Sequence, residues 1–91
     1  MKFIVNYSLT PATRDEAIAR FKATGGLPPK NVTLIGRWTQ SDFSGGFALV
    51  ETADAKALTE FALMWTDLID IKVVPVIDDP ELNDVLSRPR S

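Results

Sequence analysis

The sequence predicts an α+β domain of the ferredoxin-like kind: β-α-β-β-α-β followed by a short C-terminal helix. Three observations carry this. Short runs of β-branched and aromatic residues alternate with two apolar stripes at helical spacing. Their order is strand, helix, strand, strand, helix, strand. Right-handed crossovers then fix one four-stranded antiparallel sheet in the spatial order 4-1-3-2, with both long helices on one face.

The first strand is expected over Lys2 to Leu9, where Phe3, Val5 and Tyr7 alternate with Ile4, Asn6 and Ser8. Thr10-Pro11 opens a helix, because proline suits the first helical position, and Thr13 with Glu16 offers a capping-box start three residues later. Ala17, Ile18 and Phe21 form its apolar stripe, and Gly25-Gly26 then Pro28-Pro29 end it. A second strand runs from Asn31 to Trp38, with Val32, Leu34, Gly36 and Trp38 on one face and Thr33, Ile35 and Arg37 on the other. The segment Gln40 to Gly46 is turn chemistry. Phe47 to Glu51 completes a hairpin. Thr52 or Asp54 caps the second helix, whose stripe is Leu58, Phe61, Ala62, Trp65 and Leu68. The last strand, Ile69 to Ile77, carries Pro75, which marks an edge or a bulge because proline donates nothing to a ladder. Asp79-Pro80 caps a short final helix with Leu82, Val85 and Leu86 on its apolar side, and Arg88-Pro89-Arg90-Ser91 is a frayed tail.

Length and composition set the outer bounds. The chain has 91 residues, with 10 Lys+Arg against 12 Asp+Glu, no histidine and no cysteine. One domain over residues 1–91 is expected, its core in 1–78 and its helix and tail in 79–91. Disulfides, thiolate nucleophiles, zinc–thiolate sites and a histidine base are excluded within one chain. The acidic balance argues against nucleic acid as a partner. The run Phe3-Ile4-Val5 stops at Asn6, too short for a signal peptide, and no stretch reaches the ~18 apolar residues of a membrane span. A cytoplasmic protein with no cofactor is the expectation.

Helices cover one sheet face only, yet both faces carry apolar residues. The bulkier set, Phe3, Val5, Tyr7, Leu34, Trp38, Phe47 and Leu49, suits the helix side. The other set, Ile4, Ile35, Ala48, Val50, Val74 and Val76, is interrupted by Asn6, Ser8, Thr33, Arg37 and Lys72. That second face is too apolar for open water. A chain this small also buries only about 60–65% of its unfolded surface. A homodimer or higher oligomer is therefore expected, against the alternative of a monomer covered by its own last helix.

Gly36-Arg37-Trp38 and the run Gly45 to Thr52 resemble a small bacterial family, domain of unknown function thirty-three-oh-three. The start Met1 to Val5, the run Thr24 to Pro29 and the strand Lys72 to Val76 are similar as well, so the resemblance spans nearly the whole chain up to Asp79. It implies a branch of the dimeric α+β barrels and no particular activity. Members often carry histidine directly after Gly-Arg-Trp. This chain has Thr39 there, which can donate and accept a hydrogen bond but cannot serve as a base near neutral pH.

Arg37 is the sharpest candidate for a ligand contact, because a guanidinium can grip a carboxylate or phosphate through two parallel bonds. A structural salt bridge between subunits is the competing reading. Asn6, Ser8 and Thr39 are expected to converge with it near the hairpin, with Trp38 beside them, as a few polar groups in an apolar recess. Interface polarity would explain the same residues. A small anionic or aromatic ligand fits the recess. Trp38, Trp65, Tyr7 and Phe61 read first as core. A cofactor-free enzyme of the monooxygenase or isomerase kind would need Glu51 or an aspartate as its general base, although Glu51 also reads as a helix-entry carboxylate, and an assembly protein without ligand is the third reading. Asp78, Asp79, Glu81 and Asp84 lack calcium-loop spacing and read as helix capping.

Overall fold

A computed structural model of the chain describes residues 1–89. The elements are β1 (Lys2–Ser8), α1 (Arg14–Thr24), β2 (Thr33–Thr39), β3 (Gly45–Glu51), α2 (Ala55–Leu63), β4 (Asp70–Val76) and α3 (Asp79–Leu86). The four strands form one antiparallel sheet in the order β2-β3-β1-β4. This is the expected 4-1-3-2 order read from the other edge, in an α+β fold of ferredoxin-like kind. Pro75 lies in β4, an outer strand of that sheet, as its missing N–H requires. The tail expectation falls partly on residues 90–91, outside the described residues.

Local chemistry accounts for the helix ends, with two corrections. Helix α1 starts at the later of the two candidate positions, after Thr13, but its capping box does not form. Thr13 makes no side-chain cap bond, and its hydroxyl pairs instead with that of Thr10 at 3.3 Å. Gly25 ends α1 in the left-handed region at φ 72°, donating its N–H to the Phe21 carbonyl at 2.7 Å. Asp54 caps α2 through the N–H groups of Lys56 and Ala57. The helix closes at Leu63, so Trp65 and Leu68 follow it in turns rather than continuing its stripe. Asp78, not Asp79, caps α3: it accepts from the Glu81 N–H while the Glu81 carboxylate accepts from the Asp78 N–H. The acidic cluster is thus helix-capping chemistry in part, and among the described residues no group of acids is placed to hold a metal ion.

The core lies between the sheet and the two long helices. Val5, Ala48 and Val50 meet Ala57, Leu58 and Phe61, with Val32 closing one end and Phe3, Leu34, Ile71 and Val73 packed around them. This corrects the face assignment. The small Ala48 and Val50 face the helices, whereas Phe47 and Leu49 face the open side. In β2 the register slips between Leu34 and Gly36: Leu34 opposes Val50, and Gly36 already opposes Leu49. Ile35 is the extra residue of a β-bulge. Side chains alternate along a strand, so one extra residue turns every later side chain over. Leu34 therefore faces the helices as expected, but beyond the bulge Arg37 and Thr39 face them too. Trp38 lies on the open side against Phe47, ring centroids 5.3 Å apart.

Among the described residues no helix is long and apolar enough to cross a membrane.

Candidate functional site

Small residues leave a hole in the middle of this core. Ala17 of α1, Ala48 of β3 and Ala62 of α2 border a cavity of about 380 Å³ between the helices and the sheet. Val5, Leu58, Phe61, Ile71 and Val73 supply its apolar floor and walls. Exposed lining residues mark its opening: Phe21 and Lys22 from α1, Thr39 from β2 and Phe43 from the β2–β3 turn.

The turn places Phe43 by force of hydrogen bonding. Its own φ is +61°, a region bulky residues avoid. Gln40 and Gly45 close the hairpin through the Gln40 N–H and Gly45 carbonyl at 2.8 Å, and the Phe43 N–H reaches the Gln40 carbonyl at 2.9 Å. Asp42 accepts from both the N–H and the hydroxyl of Ser44, which holds its carboxyl below the usual carboxylate range.

Among the described residues, four charged or hydroxyl-bearing side chains border the cavity: Tyr7, Lys22, Arg37 and Thr39. The Tyr7 hydroxyl donates to the Trp38 carbonyl at 3.2 Å and lies 3.1 Å from the Thr39 hydroxyl. Tyr7 has a single proton to give, so Thr39 is the donor within that pair. Arg37 donates to the Gly26 carbonyl at 2.6 Å and to the Gly25 carbonyl at 3.0 Å, and its guanidinium sits 4.8 Å from the centre of the Phe21 ring. It therefore tethers β2 to the C-terminal end of α1, where unpaired carbonyls and the helix dipole favour a cation. Gly26 has to be glycine for this: its φ is +61°, and a Cβ would stand 2.7 Å from the Arg37 guanidinium.

The structure brings together two of the five candidate ligand residues, Arg37 and Thr39. Asn6, Ser8 and Trp38 lie elsewhere. Asn6 is exposed on the open face, between Phe47 and Lys72 on the neighbouring strands. Ser8 borders a separate polar depression with Asp67 and Asp70. Trp38 is 53% exposed on the open face and covers Gly36. The expected convergence fails because the bulge at Ile35 turns Arg37 and Thr39 to the helix side, away from Asn6 and Ser8. Glu51 is exposed at the end of β3, opposite Lys2 and Thr33, and among the described residues no carboxylate borders the cavity.

Lys22 and Tyr7 were the polar cavity residues that sequence reasoning did not select. Lys22 looks like the wet side of α1, and Tyr7 like core. One signal was available for Tyr7. It opposes Gly46 in the β1–β3 ladder, and two successive glycines at a strand start leave room for a large ring to cross.

Arg20 buttresses the far side of the site. It pairs with Asp67 through two bonds, 2.7 and 2.8 Å, donates to the Met64 carbonyl and lies over the Trp65 ring. The hydrogen bond from Arg20 holds the Asp67 carboxyl low. These contacts fix the turn after α2, from which Trp65 and Ile69 reach the cavity.

Residues 1–89 match the family described as Domain of unknown function (DUF3303), and the chain belongs to that family. No curated protein and no solved structure matches it.

Proposed function

We propose that this member of the DUF3303 family is a small-molecule-binding module, working as a homodimer in the cytoplasm. One observation carries the binding reading: an open cavity of about 380 Å³ in the middle of the core, apolar throughout except for a few polar groups. Cores normally pack without voids larger than a water molecule. A hole of this size in a small domain costs stability, and a ligand is what would repay it. Its size and lining suit a small organic molecule.

The dimer reading rests on the open sheet face and on α3. Trp38 and Phe47 are 53% and 42% exposed there, flanked by the half-buried Ile4, Leu49, Val74 and Val76. No residue of α3 is buried, although Leu82, Val85 and Leu86 line up as an apolar stripe. The chain's radius of gyration is 15.3 Å, against about 12 Å for a compact chain of this length. The last helix therefore does not cover the sheet of its own chain, and a second copy is the partner proposed for both surfaces.

The cofactor-free enzyme reading has less support. It needs a base in the cavity, and the carboxylates of the described residues lie outside it.

Titration with the neutral fluorophore N-phenyl-1-naphthylamine tests the binding reading. Saturable enhancement at one site per chain is expected, weakened when Ala62→Leu takes up part of the cavity. Enhancement that never saturates, or whose affinity Ala62→Leu leaves unchanged, would refute it. Light scattering gives the native mass, and a monomer at micromolar concentration would refute the dimer.

A further inference from the structure

We propose that the cavity selects a monocarboxylate with an apolar body, its anionic head held by Lys22 and Arg37 and its body in the space beside Ala48 and Phe61. This deepens the binding-module reading and rests on it.

Charge at the cavity is one-sided. The chain has 12 acids and 10 bases, yet among the described residues the charged ones bordering the cavity are two cations and no acid. Arg20, beside the site, is matched by Asp67. Among the described residues neither Lys22 nor Arg37 has a carboxylate within 4.0 Å.

Arg37 is oriented but not neutralised. The carbonyls of Gly25 and Gly26 take two of its five N–H donors and fix its plane over Phe21. Carbonyl dipoles position a guanidinium without cancelling its unit charge. The C-terminus of α1 adds about half a negative charge nearby, which the two full positive charges outweigh. Positioning of this kind prepares the fork for a planar carboxylate.

The remaining polar groups narrow the head group further. Thr39 spends its proton on Tyr7, and Tyr7 spends its own on the Trp38 carbonyl. The donors left at the cavity are those of the two cations and the indole N–H of Trp65. A head group that only accepts hydrogen bonds and carries negative charge satisfies both. An alcohol meets neither charge, and an ammonium group would be repelled.

Displacement of N-phenyl-1-naphthylamine by decanoate, 2-naphthoate, decan-1-ol and decylamine tests this. At low salt at least one of the two carboxylates should displace the fluorophore about tenfold more tightly than decanol, the worth of one charge-assisted bond. That advantage should shrink as salt rises, and decylamine should be weakest. In Lys22→Met the ratio of carboxylate to alcohol affinity should fall severalfold. Lys22 is exposed, so this variant keeps the fold even if Arg37→Met does not. Equal affinity of carboxylates and alcohol, or an unchanged ratio in Lys22→Met, would overturn the carboxylate assignment while the cavity reading stands. Failure of the fluorophore itself to bind would overturn both.

Discussion

Tyr7 and Thr39 meet across an intervening strand: their hydroxyls are 3.1 Å apart although β3 lies between β1 and β2. The ring of Tyr7 passes over Gly46 to get there. A Cβ at Gly46 would stand 2.5 Å from the Tyr7 hydroxyl and would collide with the Trp38 carbonyl. Backbone cannot move aside as a side-chain tip can. Gly46→Ala should therefore destabilise the protein by about 2–4 kcal/mol, at the large end for a single methyl group. Urea denaturation checks it, and a loss below about 0.5 kcal/mol would show that the crossing is loose. Tyr7→Phe removes only the hydrogen bonds and should cost about 1 kcal/mol.

The cavity gives the opposite sign. Ala62 borders it from α2 and is half-buried. Leucine is nearly as good a helix former as alanine, and its three added carbons have room in about 380 Å³. At about 0.8 kcal/mol per buried methylene, less some misfit, Ala62→Leu should stabilise by about 1–2 kcal/mol. A lower midpoint in denaturant would mean that the cavity is already filled by side-chain motion.

How far the sequence discloses this site depends on one residue. Strand order, the Gly25 cap and the outer place of the Pro75 strand are where the pattern puts them, Asp54 is the one of two candidate caps that forms, and α2 and α3 differ at one end each, at Leu63 and at Asp78. Side-chain facing does not. Periodicity is equally satisfied by either phase of β3, and size alone favours Phe47 and Leu49 inside. Small residues face inward instead, because the inner side of β3 is where space is left open. Ile35 reads as an ordinary strand residue, and only the pairing of Leu34 with Val50 and Gly36 with Leu49 reveals the bulge. That slip decides that Arg37 borders the cavity while Trp38 does not. The site was half legible because register is a property of two strands, and a single strand's pattern does not contain it.

Acid should destabilise the fold through particular carboxylates. The hydrogen bond from Arg20 lowers the Asp67 pKa, and Asp78 is lowered first by the Glu81 N–H and then by Lys2. A carboxylate whose folded pKa lies below its unfolded value, about 3.9, contributes stability that is complete above that value. The contribution disappears as pH falls through the lower folded pKa. The thermal midpoint should thus hold steady down to about pH 4 and drop below it. Asp67→Asn should start from a lower midpoint at neutral pH and show a shallower acid drop. Parallel curves for the two proteins would mean that the Arg20–Asp67 pair contributes nothing measurable, as many exposed pairs do.

The open face supplies a test that separates folding from association. Trp38 is 53% exposed in the single chain, where its contacts are Phe47 and the bare backbone at Gly36. In a monomer Trp38→Lys would cost little, since surface substitutions usually stay within about 0.5 kcal/mol. Across a dimer interface it would bury two lysines on facing apolar surfaces, related by the two-fold axis. Each unpaired buried charge costs several kcal/mol, enough to dissociate a dimer of ordinary affinity. Trp38→Lys should therefore halve the mass seen by light scattering while circular dichroism keeps the native shape. The thermal midpoint of the parent should rise with protein concentration, and that of the variant should not. If Trp38→Lys keeps the parent's mass, the sheet face is not the contact, and the apolar side of α3 is the surface left to mutate.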